Sequence, residues 1–294
     1  MTRLLTALLL VLVSSVAEAR MKAGPVVMSN HVRERVAVSA GAGPPGMPTA
    51  AVAYSLRKLV GTAVATQAVR IRRASDNAEQ DIGFVGNDFD TVAATTFCAA
   101  TTCFGRTLYD QTLTRRDAVM ATAASQPDLI FGCTVTGQPC LRTTTGTGMK
   151  LATTSFTPSS AVMSMNAVSR RVSGTGACYD ITGSDNNRIQ HTNGSAGYTL
   201  LANAGVVASV AGATENTWHS VTGIINGASS SLVADATTAS GTGTGSVAAG
   251  PNTVLLGATS TTCYLAEAIW WDATALTAQQ AADLNANQKA YWGF

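Results

Sequence analysis

Residues 218–234 read Trp218-His219-Ser220-Val221-Thr222-Gly223-Ile224-Ile225-Asn226-Gly227-Ala228-Ser229-Ser230-Ser231-Leu232-Val233-Ala234. Two runs rich in apolar and β-branched residues flank Asn226-Gly227, a pair that favours a type I′ turn because both central positions of that turn need positive φ. Such a turn joins neighbouring antiparallel strands, so the stretch predicts antiparallel sheet and speaks against βαβ units. The pattern continues outward. Ala68-Val69-Arg70-Ile71-Arg72-Arg73 alternates, which turns Val69 and Ile71 to a core and Arg70 and Arg72 to water. Further strands are expected over 81–85, 106–109, 129–131, 161–168, 198–201, 231–234, 253–256 and 265–271, separated by Gly, Asn, Asp and Thr. Many short strands of this kind build an all-β sandwich or barrel. Residues 56–59 read as a short helix or strand, and the Ala, Thr, Ser and Gly run 236–250 as an exposed loop. One helix closes the chain. Thr277 caps it with Gln280 in the capping-box position, and Ala281, Leu284, Gln288, Tyr291 and Trp292 carry the stripe that packs on the outside of the sheets.

The chain has 294 residues, 46% of them hydrophobic, enough to bury a full core. Charged residues make up only 12%, about half the usual share of roughly 25%, as suits a secreted, strand-rich fold. Nineteen basic residues against 17 acidic ones give a formal charge of +2. That balance cannot supply the phosphate neutralisation on which nucleic-acid binding depends, so nucleic acid is set aside as a partner.

Arg3, the apolar run Leu4 to Val13 and Ala17-Glu18-Ala19 fit a signal peptide over 1–19, cleaved after Ala19. The apolar run ends at Ser14, short of the roughly 20 residues a membrane span needs. The expectation is a secreted protein, extracellular or periplasmic, with no membrane insertion after cleavage. Gly41, Gly43, Pro44, Pro45, Gly46 and Pro48 mark residues 20–48 as a flexible leader, and the folded domain is expected over 49–294.

Cys98, Cys103, Cys133, Cys140, Cys178 and Cys263 follow the export signal in an even count, which reads as a disulfide set. Spacing narrows the pairings. Cys98 with Cys103 and Cys133 with Cys140 each close a short loop, leaving Cys178 with Cys263 as a long-range tie. The competing zinc reading finds no C-x-x-C pair, and His31, His191 and His219 stand at no ligand spacing from a cysteine, so each reads as an ordinary polar group. Asp76, Asn77, Glu79 and Asp81 could offer oxygens to calcium but lack the Asp-x-Asp-x-Asp-Gly spacing, so no metal is expected there either. No dinucleotide fingerprint, phosphate loop or Gly-x-Ser-x-Gly elbow occurs, and no cofactor is expected. Asn193-Gly194-Ser195 matches the glycosylation sequon.

Three segments carry a family resemblance. Ala53-Tyr54-Ser55-Leu56-Arg57-Lys58-Leu59, Arg70-Ile71-Arg72-Arg73 and Asp76-Asn77-Ala78-Glu79-Gln80-Asp81-Ile82-Gly83-Phe84 look like the start of the arabinofuranosidase B catalytic domain. Asp90, then Thr96-Phe97-Cys98-Ala99-Ala100-Thr101-Thr102-Cys103, then Tyr109-Asp110-Gln111, resemble that family's disulfide loop and the strand end after it. Ala177-Cys178-Tyr179-Asp180, Val254-Leu255-Leu256-Gly257 and Glu267-Ala268-Ile269 resemble later segments. The resemblance implies a concanavalin A-like, two-sheet antiparallel jelly roll directed at arabinose-bearing polysaccharide.

The chain also departs from the family. Members have two adjacent cysteines where this chain has Ala177 and then Cys178. Retaining hydrolysis needs a nucleophile and an acid/base carboxylate about 5–5.5 Å apart. Asn187-Arg188-Ile189-Gln190-His191, where the family has its nucleophilic Glu, contains no carboxylate, and Ala258-Thr259-Ser260-Thr261-Thr262 stands where it has its acid. Asp180 and Glu267 are the best replacement pair, on strands that a Cys178–Cys263 bond would hold near one another; the alternative makes Glu267 a framework residue. Tyr179, Asp180, Trp218 and Tyr264 are the candidates for carbohydrate binding, with Tyr198, Trp270 and Trp271 as further aromatic faces. Trp270 and Trp271 are adjacent in a strand and point to opposite faces, so one must be core. Three functions are compatible with these residues: a glycan-binding domain, an active retaining α-L-arabinofuranosidase, and a laminin-G-like adhesion or phage-particle structural module. The first two have a polysaccharide or glycan as partner.

Overall fold

The computed structural model describes residues 46–59, 66–144, 147, 149–151, 161–173, 176–182, 187–192, 197–202, 205–241, 253–256 and 262–294. The signal peptide, the leader up to residue 45, the sequon and most of the 236–250 run lie outside the described residues. The chain divides into Met1–Ala40 and Gly41–Phe294, and everything below concerns the second unit.

One sheet is centred on the long strand Thr262–Asp272. Met163–Ser173 pairs antiparallel along one side of it, and on the other Cys140–Thr143 meets its first half and Val52–Ser55 its second. His219–Ile225, Ser231–Ala234 and Thr237–Ser240 extend this sheet beyond Met163–Ser173. The second sheet runs, each strand antiparallel to the next, through Gly205–Ala211, Gly197–Ala202, Asn187–Thr192, Gly176–Thr182, Thr253–Leu256, Met149–Leu151, Ala118–Val119, Cys103–Leu108, Gln67–Arg73 and Glu79–Val85. Asp128–Ile130 pairs with a strand of each sheet and links them along one side. The result is the expected all-β, two-sheet antiparallel sandwich.

Its core takes Val69 and Ile71 as alternation predicts, but Arg72, expected to face water, is buried, its Nε donating to Gln126 Oε1 at 2.7 Å and its guanidinium lying 4.8 Å from the Phe104 ring centre. Met163, Met165, Val221 and Trp270 from one sheet and Val69, Ile71, Leu200 and Leu256 from the other share one buried cluster. At Gly223 the sheets come so close that an added Cβ would lie 2.6 Å from Leu200 Cδ1 and 3.3 Å from Ile189 Cγ1. A strand interior that accepts only Gly marks such a close approach. Trp271, pointing the other way from Trp270, is buried too, in a separate cluster on the outer face with Leu276 and Leu284, and its indole N–H donates to Pro48 O at 3.1 Å.

That outer face is covered by helix α2 (Ala278–Trp292), which follows the short helix α1 (Thr91–Phe97) in the chain. Thr277 and Gln280 form the expected capping box, Ala281, Leu284, Gln288 and Trp292 are buried, and Gly293 ends the helix with φ 83°. Three disulfides hold the unit: Cys98–Cys103, Cys133–Cys140 and Cys178–Cys263, with Cα separations of 5.8, 5.7 and 5.7 Å. Bonds of this kind persist in oxidising compartments. Among the described residues no helix is long and apolar enough to cross a membrane.

Several local expectations are corrected. The hairpin at Asn226-Gly227 exists, but residues 226–230 form its loop, and φ is positive at Gly227 (55°) and not at Asn226. Ser230 explains this, because its Oγ accepts from Asn226 N at 2.9 Å and stabilises a longer loop. Thr237–Ser240 is a strand, not loop, its backbone bonded to Ser231–Ala234 while its side chains face largely outward. Residues 56–59, read as a short helix or strand, are neither; a strand lies just before them, at Val52–Ser55. Helix α1 was not expected; Asp90 caps it by accepting from Ala93 N at 2.9 Å. Packing reaches back to Gly46, whose carbonyl accepts from Gln280 Nε2 at 3.0 Å.

Candidate functional site

Three of the segments that carry the family resemblance, 53–59, 109–111 and 267–269, converge on one buried lock. Ser55 lies opposite Glu267 in the register of Val52–Ser55 with Thr262–Asp272, and Arg57, two residues on, folds back over the same position. Arg57 Nε donates to Glu267 Oε2 at 2.7 Å and Arg57 Nη2 to Oε1 at 3.2 Å, a two-pronged pair. Helix α2 supplies Gln288 Nε2, donating to Oε1 at 2.7 Å, and Trp292 Nε1, donating to Oε2 at 3.1 Å. Glu267 is 1% exposed and Arg57 6%. Gln288 also accepts from Asn166 Nδ2 at 3.3 Å and from the Ser220 hydroxyl, so the lock reaches two more strands. The Tyr109-Asp110-Gln111 segment does similar work. Asp110, buried, accepts from Ala53 N, Thr112 N and Arg116 N, while Gln111 Nε2 donates to the Ser55 and Arg57 carbonyls at 3.0 and 2.8 Å.

The structure therefore places Glu267 under α2, among donors from Arg57 and from the helix itself. Asp180 lies in Gly176–Thr182, opposite Arg188 on one side and Leu255 on the other. The Cys178–Cys263 bond does tie these two strands together, but Glu267 is turned into the lock. The carboxylates of the 76–81 loop are each engaged by an arginine: Asp76 by Arg73, Glu79 by Arg106 and Asp81 by Arg70.

Around Trp218 a different arrangement forms. Trp218 is 4% exposed, its indole N–H donates to Cys133 O at 3.3 Å, and Tyr264 meets it edge to face with ring centres 6.5 Å apart. The Arg170 guanidinium lies 4.0 Å from the Tyr264 ring centre and 5.7 Å from that of Trp218. Stacked cations of this kind occupy the ring face, so these two aromatics present Arg170 to a ligand rather than a bare ring. Beside Trp218 opens a cavity of about 410 Å³, also lined by Arg170, Asn216, His219, Asp235 and Lys289. Tyr198, Trp270 and Trp271 are buried and offer no surface to a sugar.

His219, expected to be an ordinary polar group, forms the floor of this cavity. Its Nδ1 lies 2.6 Å from Asp235 Oδ2 and its Nε2 3.0 Å from Thr214 O. Both partners are acceptors, so only the doubly protonated ring satisfies both bonds. Burial opposes the charge, but the Asp235 bond and the Thr214 carbonyl outweigh it and raise the His219 pKa above its ordinary 6.5. No sequence spacing reveals this pair, because His219 and Asp235 meet only through the pairing of His219–Ile225 with Ser231–Ala234. The linkage has a definite sign. A group whose pKa is raised by folding contributes its full stabilisation below the unfolded value and loses it as the pH climbs through the folded one. Wild type is accordingly expected to lose stability relative to His219→Gln on the alkaline side. Urea unfolding of both at about pH 5.5 and about pH 8.5 checks this; a difference that does not change between the two conditions would refute it.

Set beside known proteins, the chain has the two-sheet antiparallel β-sandwich fold of solved arabinofuranosidase structures. No protein-family model matches its sequence, and no curated protein does. Among solved structures it is similar to a variant of a GH54 α-L-arabinofuranosidase soaked with 4-nitrophenyl α-L-arabinofuranoside, with TM-score 0.65 and 15% identity over 83% of this chain. It is also similar to an arabinofuranosidase complexed with arabinofuranosyl-α-1,2-xylobiose, with TM-score 0.64 and 15% identity over 83% of this chain. The match spans 63% of the length of each of those chains. At this identity the likeness establishes the fold.

Proposed function

We propose that this chain is a secreted, carbohydrate-directed β-sandwich that binds arabinose-containing or related glycans without cleaving them. The observation that carries binding over hydrolysis is the state of Glu267. A catalytic carboxylate must reach the sugar or its leaving oxygen, and both Glu267 oxygens are already shared among Arg57, Gln288 and Trp292. Support for a saccharide ligand comes from the fold match, together with the segments that resemble arabinofuranosidase B. The strand Gly176–Thr182, which carries Tyr179 and Asp180, is assigned to glycan contact, and Trp218 and Tyr264 to the support of Arg170. The three disulfides fit export.

Passing the purified chain over immobilised arabinan, and incubating it with 4-nitrophenyl α-L-arabinofuranoside, tests the reading. Retention without release of nitrophenol is expected. Release by wild type that disappears in Asp180→Asn would replace it with a retaining arabinofuranosidase. Passage through the column with no release would replace it with a structural module.

A further inference from the structure

Resting on the glycan reading above, we propose that the cavity beside Trp218 is a subsite for a sugar unit bearing an anionic group, a uronate carboxylate or a sulfate ester. Its volume of about 410 Å³ falls within the roughly 300–1,000 Å³ of small-molecule sites. Two cations face it. Arg170 is oriented in advance by its stack on Tyr264 and Trp218, and Lys289 projects from the last turn of α2. Among the described residues neither has a carboxylate at ion-pair distance.

Asp235, the carboxylate in the lining, is already committed. Its Oδ2 meets His219 Nδ1 and its Oδ1 accepts from Ser220 N at 3.1 Å. Asp235 is thus taken up by His219 and Ser220, while Arg170, against the aromatic wall, and Lys289, at the exposed rim, have no ion-pair partner among the described residues. Low-dielectric aromatic surroundings focus the field of such cations. Asn216 and Asp235, both in the lining, have φ of 59° and 53°. Each is held there by a main-chain bond, Asn216 N to Arg171 O at 2.7 Å and Asp235 N to Ser220 O at 2.8 Å. Asn and Asp adopt this conformation more readily than other non-glycine residues, so both positions are ordinary turns. The planar guanidinium matches a carboxylate or sulfate with two parallel hydrogen bonds, and the Asn216 carboxamide suits neighbouring hydroxyls. A neutral arabinofuranosyl unit has no group that uses the two cations.

The test is isothermal titration of the purified chain with a glucuronate-terminated oligosaccharide, a sulfated counterpart and their neutral parent, with arabinan as a separate neutral ligand. At least one anionic form is expected to bind about tenfold more tightly than the parent. Arg170→Gln and Lys289→Gln should each erase most of that preference, and Lys289→Gln should leave arabinan binding unchanged. Lys289 is solvent-exposed, so its replacement reads the charge alone even if Arg170→Gln disturbs packing. Whichever anionic form keeps the preference identifies the group. Equal affinity for all three oligosaccharides, or a preference untouched by Lys289→Gln, would overturn the subsite and leave the glycan reading intact. Failure to bind arabinan or any of the oligosaccharides would remove the glycan reading and the subsite with it.

Discussion

Glu267→Gln is expected to destabilise the protein by about 3–5 kcal/mol, the cost typical of breaking a buried ion pair from one side. The substitution keeps the shape and removes only charge and one acceptor, yet no orientation of the new amide fits. Oε1 receives Arg57 Nη2 and Gln288 Nε2, and Oε2 receives Arg57 Nε and Trp292 Nε1. Whichever way the amide turns, its NH₂ faces two donors, and the Arg57 charge is left buried without its counterion. Urea unfolding measures the loss. A catalytic Glu267 would behave the opposite way: native-like unfolding with abolished turnover. Finding that pattern would return Glu267 to the active site and undo the framework assignment.

Removal of the Cys178–Cys263 bond is expected to be the second large effect. Its residues are 85 apart in sequence, against 5 for Cys98–Cys103. In the chain-entropy model those separations correspond to about 4–5 and about 2 kcal/mol. The longer bond also fastens Gly176–Thr182 of one sheet to Thr262–Asp272 of the other, so its loss frees the sandwich to splay. Paired Cys→Ala variants, unfolded in urea, should rank accordingly. Equal losses, or a larger loss at Cys98–Cys103, would show that the native state, not the unfolded chain, governs the effect.

Legibility in the sequence followed the strength of local signals. Gln67–Arg73 and Ser231–Ala234 announce themselves through alternation or β-branched runs, and α2 through Thr277 and Gln280. Asn187–Thr192 has a single large apolar residue, Ile189, and was not expected as a strand; backbone pairing on both sides holds it there. The cysteine pairs at short spacing were readable because a short loop leaves few partners. The resemblance located Arg57, Gln111 and Glu267 but not their role, since a charged residue in a motif reads the same whether it meets a substrate or a buried counterion.

Local patterning alone settles that this chain makes antiparallel strands, one capped C-terminal helix and two short-loop disulfides, because those depend on residues near one another in sequence. Which carboxylate is locked away, and which cations stand open beside Trp218, depends on side chains brought together from distant strands. Arg57 meets Glu267 across 210 positions, and Arg170 and Lys289 line one cavity only because α2 folds back over the sheet. Burial and charge compensation are properties of that packing, so only the folded chain could assign them.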